Sequence, residues 1–159
     1  MKIIERNNFM KWNTIDFGKY RYDGCLIAHI AFKDPEYFNW CLSAGVFKGS
    51  SLSQAHIANH NLRNLRLPAN LRDTHCVQML YDWVGKLTDV RVVEVALLPA
   101  TPAHNEVRSD TLNMVFKTDG VGRKLIRKAL KDHWLGGKAL TKARLETLLA
   151  EPVAPTSLH

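Results

Sequence analysis

The sequence predicts an α+β fold, with helices flanking a small antiparallel sheet and a pair of basic helices at the C-terminal end. Three observations predict it. Val90–Leu98 (VRVVEVALL) is rich in β-branched residues, and Thr111–Lys117 follows it after a polar loop as a second strand. Helix-start chemistry recurs ahead of that region, at Asp34-Pro35, at Ser51 with Gln54, and at Asp73. Beyond it, amphipathic segments on either side of Gly136-Gly137 predict two more helices.

The elements follow in order. Ile3, Ile4, Phe9 and Trp12 are expected to supply a short strand or a cover to the core, and Thr14–Phe17 reads as a strand. Gly18 and Gly24 punctuate a turn region around Lys19–Asp23, ahead of a short helix over Leu26–Ala31. In the next helix Asp34 is the N-cap, Pro35 the first helical residue and Gly45 the terminator. Tyr37, Trp40, Cys41 and Ala44 recur at helical spacing there and predict one buried face. Ser51 and Gln54 form an S-x-x-Q capping box opening a third helix to about Asn64, and Pro68 ends that unit. Asp73 is expected to cap a fourth helix with the stripe Val77, Leu80, Tyr81 and Val84, Gly85 lying near its end. Pro99–Asp110 reads as a loop, and Thr118-Asp119-Gly120 as the turn into a helix over Val121–Trp134. Gly136-Gly137 breaks that helix, and a last one is expected from Ala139 to Ala150. Residues 1–150 are thus read as one compact domain, containing a module at 17–45 and a strand-strand-helix-helix basic region at 88–150, with 151–159 a loose tail.

The composition, 46% hydrophobic and 23% charged over 159 residues, is that of an ordinary globular chain. No window is long and apolar enough for a membrane span or a signal peptide, so the expectation is a cytoplasmic protein without a membrane partner. Cys25, Cys41 and Cys76 are an odd set without C-x-x-C spacing, which favours a reduced compartment and cysteines used as small core hydrophobes.

Charge is the most informative feature. Val121–Arg144 holds eight cations (Arg123, Lys124, Arg127, Lys128, Lys131, Lys138, Lys142 and Arg144) against one anion, Asp132. That excess equals the formal charge of the whole chain, +7, so the other residues balance. Arg123, Arg127 and Lys131 stack at i, i+4 and i+8, with Lys124 and Lys128 beside them and Leu125, Ile126, Ala129 and Leu130 opposite. Such a helix packs by one face and offers a cation ladder to a phosphate backbone on the other. Two helices joined at Leu135-Gly136-Gly137 also resemble a helix-turn-helix. Asn and Gln are scarce in the basic helices, so weak sequence readout and steep salt dependence are expected.

Signals for chemistry are weaker. His56 and His60 share a helix face, with His75-Cys76 later in the chain, but no second pair stands at zinc-ligand spacing, and no cofactor or metal is expected. Asp89, Glu94, Asp110 and Asp119 border the predicted strands, where a metal-dependent nuclease would place carboxylates, and His104-Asn105-Glu106 mimics part of a nuclease motif without the supporting ligands. Gly120-Val121-Gly122 could receive a phosphate at a helix N-terminus, although two glycines do not make a P-loop. No nucleophile signature is present, so no catalytic residue is assigned and the chain is read as non-enzymatic.

Phe17, Gly18, Lys19, Gly24, Asp34, Pro35, Tyr37 and Trp40 form the pattern FGK, a glycine, a short helix and D-P-x-Y-x-x-W. This stretch, Phe17–Leu42, resembles the small module at the C-terminus of exonuclease X-like proteins, also found in short phage and bacterial proteins; Cys25 and His29 depart from its usual polar or acidic residues. The resemblance implies an accessory module that accompanies nucleic-acid enzymes without the nuclease site. Phe17 and Trp40 are expected in the core, and Lys19, Tyr20 and Arg21 on the surface. The expectation is therefore an accessory protein, of phage type, binding DNA or RNA through Arg123, Lys124, Arg127, Lys128 and Lys131. Lys138, Lys142 and Arg144 would support them, with a second contact at Lys19 and Arg21. The alternatives are an inhibitor or adaptor docking on an acidic host protein such as a nuclease or defence complex, and, more distantly, the metal-dependent nuclease.

Overall fold

The computed structural model describes residues 10–16, 22–115 and 119–152. Its helices are α1 (Ile27–Lys33), α2 (Pro35–Ser43), α3 (Gly49–Arg63), α4 (Gly120–Ala129) and α5 (Lys142–Leu149). Its strands are β1 (Leu65–Arg66), β2 (His75–Tyr81), β3 (Leu87–Glu94), β4 (Glu106–Ser109) and β5 (Thr111–Leu112), all antiparallel, so the α+β class holds. Packing divides the chain into two compact units, Met1–Leu62 with Lys142–His159, and Arg63–Thr141. These boundaries fall inside the stretch read as one domain, and the basic region 88–150 is shared between the two units.

The first unit is helical. The strand expected at Thr14–Phe17 reduces to a single bridge, Thr14 with Leu26, because the partner segment turns at once into α1. Phe17, with Ile3, Ile4 and Phe9, lies outside the described residues. α2 starts as the sequence predicts: Pro35 is its first residue, and Asp34 Oδ1 accepts the backbone N–H of Tyr37 at 3.1 Å. Of the predicted stripe only Cys41 is buried, and Phe38 shares its face. Trp40 is 51% exposed and stacks on Tyr37 with ring centroids 6.1 Å apart, which corrects its expected place in the core.

The capping box is also corrected. α3 begins at Gly49, ahead of Ser51, and the Gln54 side chain turns inward. Its Oε1 accepts from the Asn13 amide at 2.7 Å and its Nε2 donates to the Lys11 carbonyl at 2.9 Å, so it satisfies two backbone groups of a segment that has no strand partner there. Asn61, one of the few buried polar residues, performs the same service for α5: its Nδ2 donates to the carbonyls of Leu149 and Glu151 at 2.7 and 2.8 Å. Leu149 is the last residue of α5, where carbonyls lack an intrahelical donor, and Glu151 lies two residues beyond it.

The second unit carries the sheet, ordered β3-β2-β4, with β1 and β5 as a separate two-stranded pair. The fourth helix expected after Asp73 is in fact β2, the central strand. Val77, Leu80, Tyr81 and Val84 satisfy a helical period by coincidence; Cys76, Val77, Gln78 and Met79 are consecutively buried, as in a strand covered on both faces. Asp82–Lys86 closes the β2–β3 hairpin. Asp82 Oδ1 accepts from the amides of Val84 and Lys86, and Gly85 supplies the positive φ (85°) the turn needs. β3 starts three residues earlier than predicted and gives way to a 3-10 turn at Val95–Leu97. The expected loop Pro99–Asp110 contains the edge strand β4.

α4 lies along β3, its N-cap Asp119 accepting from Gly122 N at 2.7 Å. It continues as a π-helical turn, Leu130–Trp134, which ends at Gly136 and Gly137, both at positive φ (61° and 85°). The Trp134 indole N–H donates to the Arg66 carbonyl at 2.8 Å and fixes that turn. α5 begins at Lys142, three residues later than expected.

Asn61→Leu keeps the apolar volume near α5 but strips both carbonyls of their donor. Urea unfolding is expected to show a loss of about 1–3 kcal/mol, and an unchanged midpoint would show that the amide is not what secures the end of α5.

Candidate nucleic-acid interface

α4 is amphipathic because its apolar residues recur at helical spacing. Gly122, Ile126 and Ala129 are buried and the following Leu130 is fully so, which turns the intervening cations outward. Lys124, Arg127, Lys128 and Lys131 are exposed, and Arg123 is half-buried at the start of the ladder. Arg127, Lys128 and Lys131 border a groove of about 400 Å³ whose other side is Asp132, Ala139 and Leu140. The one carboxylate in it is engaged: Lys128 Nζ donates to Asp132 Oδ2 at 2.6 Å. That hydrogen bond lowers the Asp132 carboxyl and raises the Lys128 ammonium relative to their ordinary values. The groove is thus lined by three cations and one carboxylate.

The remaining predicted contacts are dispersed. Lys138 is exposed in the extended stretch after Gly137, in the same unit. Lys142 and Arg144 stand on α5 in the other unit, exposed and half-buried respectively. The link between the basic helices runs 135–141 and is not the tight turn of a helix-turn-helix. Lys19 and Arg21, with Tyr20, lie outside the described residues. At the α4 N-terminus the Asp119 carboxylate already occupies the position a phosphate would take, so Gly120-Val121-Gly122 is not an anion cradle.

Two of the four carboxylates considered for metal chemistry are used otherwise. Asp89 pairs with Arg91 at 2.6 Å, and Asp119 is a cap. Among the described residues no group of three or more His, Cys, Asp or Glu is placed to share an ion, His56 and His60 included. Burial pushes the thiols of Cys41 and Cys76 up, keeping them neutral in their packed positions.

Glu106 is the exception in its chemistry. Its side chain is 6% exposed and accepts from Arg108 Nε at 2.6 Å, Gln78 Nε2 at 2.8 Å and the Ala103 amide at 2.9 Å. The bond from Arg108, then that from Gln78, lowers its carboxyl from the ordinary 4.5 to about 2. Arg108 in turn donates to the Pro99 carbonyl at 2.8 Å, so the pair pins the stretch between β3 and β4 onto the polar face of the sheet. Beside it the hairpin tip and the residues leading into β4 enclose a cleft of about 620 Å³, lined by Tyr81, Asp82, Trp83, His104, Asn105 and Val107 among others. No sequence signal marked this cleft, because Trp83 falls on the predicted fourth helix and His104-Asn105 was weighed only as a nuclease motif.

No family model matches the chain, and no curated protein or solved structure matches it either.

Because the Glu106 carboxyl is depressed on folding, its contribution is complete above its unfolded value near 4.5 and is lost as pH falls through about 2. Glu106→Gln is therefore expected to lower stability at neutral pH and to differ less and less from the parent as pH falls across that window. Urea unfolding at a series of pH values checks this, and a difference independent of pH would refute the carboxylate as its source.

Proposed function

We propose that the protein binds nucleic acid through phosphate contacts on the outer face of α4. The observation that supports this best is the groove at Arg127, Lys128 and Lys131, whose single carboxylate is already neutralised by Lys128. Arg123, Arg127 and Lys131 succeed one another about 6 Å apart along a helix axis, a spacing suited to contacts with successive phosphates. The apolar contacts that hold the helix in place come from the opposite face, at Ile126, Ala129 and Leu130. Phosphate contacts position a protein without reading bases, and α4 carries no Asn or Gln to read them.

The test is fluorescence anisotropy with labelled single- and double-stranded DNA and RNA across a salt series. For the parent, affinity should fall steeply with salt. Arg127→Glu with Lys131→Glu should weaken binding at low salt and reduce the slope of log K against log salt by about 2. Both side chains are exposed, so the variant should keep the parent's circular dichroism and unfolding midpoint. Unchanged affinity and slope would overturn this assignment of the contact surface.

A further inference from the structure

The cleft at the hairpin tip has no role in the fold, and its chemistry is unlike that of α4. One wall is the turn Asp82–Lys86, held by bonds from Val84 N and Lys86 N to Asp82 Oδ1 at 3.0 and 2.8 Å and from Gly85 N to the Asp82 carbonyl at 3.0 Å. A turn so fully bonded is stiff, yet it carries Trp83 at 94% exposure. The other wall is His104, Asn105 and Val107. The two walls meet at Tyr81, whose N–H donates to the Asn105 carbonyl at 3.0 Å and whose carbonyl accepts from Asn105 Nδ2 at 3.3 Å. An indole presented on a rigid turn, over a cleft of about 620 Å³, costs solvent exposure and returns nothing to the core.

We infer that this cleft takes an unpaired nucleobase, stacked on Trp83 with its edge toward Asn105 and His104. The inference rests on the proposed phosphate contacts, and it deepens them by naming single-stranded nucleic acid as the preferred ligand. Planar π faces flanked by an amide and an imidazole suit a base, which offers a π face and a hydrogen-bonding edge. The Asp82 carboxylate lies in the same cleft, so the base and not a phosphate enters it; charge complementarity comes from the unit as a whole. Arg63–Thr141 holds 13 Lys and Arg against 8 Asp and Glu, and α4 lies along β3, the strand that forms the same hairpin as Trp83. A polypeptide adding to the β4 edge beside the cleft is less well served, since β4 offers only four residues for pairing.

The experiment compares oligothymidylate with a duplex of equal length by anisotropy, for the parent, Trp83→Ala and Trp83→Phe. Trp83 is exposed, so neither variant should disturb folding. Trp83→Ala should lose about 5- to 100-fold in affinity for the single strand, with duplex affinity unchanged and Trp83→Phe retaining most of the binding. Equal loss on both ligands, or none, overturns the base cleft while leaving the phosphate contacts intact. A second measurement separates the two readings: uridine monophosphate titrated at high salt, followed by the NMR signals of the Trp83 indole and the Asn105 side-chain amide. Shifts at both support the base cleft even if polyanion binding fails; no shift at either overturns it and leaves the cleft to a polypeptide.

Discussion

The carboxylate of Glu106 is the interaction on which the sheet-bearing unit depends. β2 is the middle strand, and one of its faces carries Gln78, a buried amide that would be costly without partners. Glu106 and Arg108 stand two apart on β4, so the alternation of the strand puts both on that face, with Arg108 directly opposite Gln78. Glu106 then accepts from Gln78, from Arg108 and from the Ala103 amide, while Arg108 reaches back to Pro99. A polar face is thereby closed by a hydrogen-bonded network, in which Arg108 Nη2 alone of the guanidinium nitrogens is buried without a partner. The same network fixes the chain just ahead of β4, and so the wall of the cleft made by His104 and Asn105.

The helical unit solves a related problem without a sheet. Segments that would ordinarily find partners in a ladder meet single amide side chains instead. Gln54 bonds both a donor and an acceptor of the stretch Lys11–Asn13, and Asn61 bonds two carbonyls at the end of α5. Each is a long-range contact made by one residue on α3, which makes that helix the organiser of its unit. The side chains are buried because the groups they serve are buried; a charged residue in either place would need a counter-charge that the unit does not supply there.

Local chemistry was legible in the sequence where it is self-contained. Asp34 with Pro35, the β-branched core of β3, the amphipathic ladder of α4 and the break at Gly136-Gly137 each act through near neighbours, and each was read correctly. What failed depends on distant partners. Gln54 carries the signature of a capping box, but a backbone segment some forty residues away in sequence competes for it and wins. β2 mimics a helical stripe because being covered on both faces erases alternation, the usual mark of a strand. Trp40 fits the helical spacing of a core residue, yet Phe38 and Cys41 take the buried face and leave it stacked on Tyr37. The cation ladder was found because charge is visible in composition; the cleft was not, because its walls come from a hairpin that the periodicity concealed.

α4 separates two duties that a shorter or less regular helix would confuse. Ile126, Ala129 and Leu130 secure it to the sheet, and at its N-terminus Asp119 accepts from the amides of Gly122 and Arg123. A phosphate at that helix end would meet the Asp119 carboxylate, so phosphate contacts fall to Lys and Arg side chains on long, mobile stems. Contacts of that kind gain from counterion release and tolerate many backbone geometries, which gives affinity without discrimination. On the proposed reading, discrimination has to come from a rigid feature elsewhere in the same unit. The hairpin tip has the needed properties: a turn fixed by three hydrogen bonds to Asp82, an aromatic face held away from the core, and a polar edge positioned by the Glu106 network. A flexible cation ladder and a stiff aromatic cleft are complementary for that reason, one supplying encounter and the other selecting what stays bound.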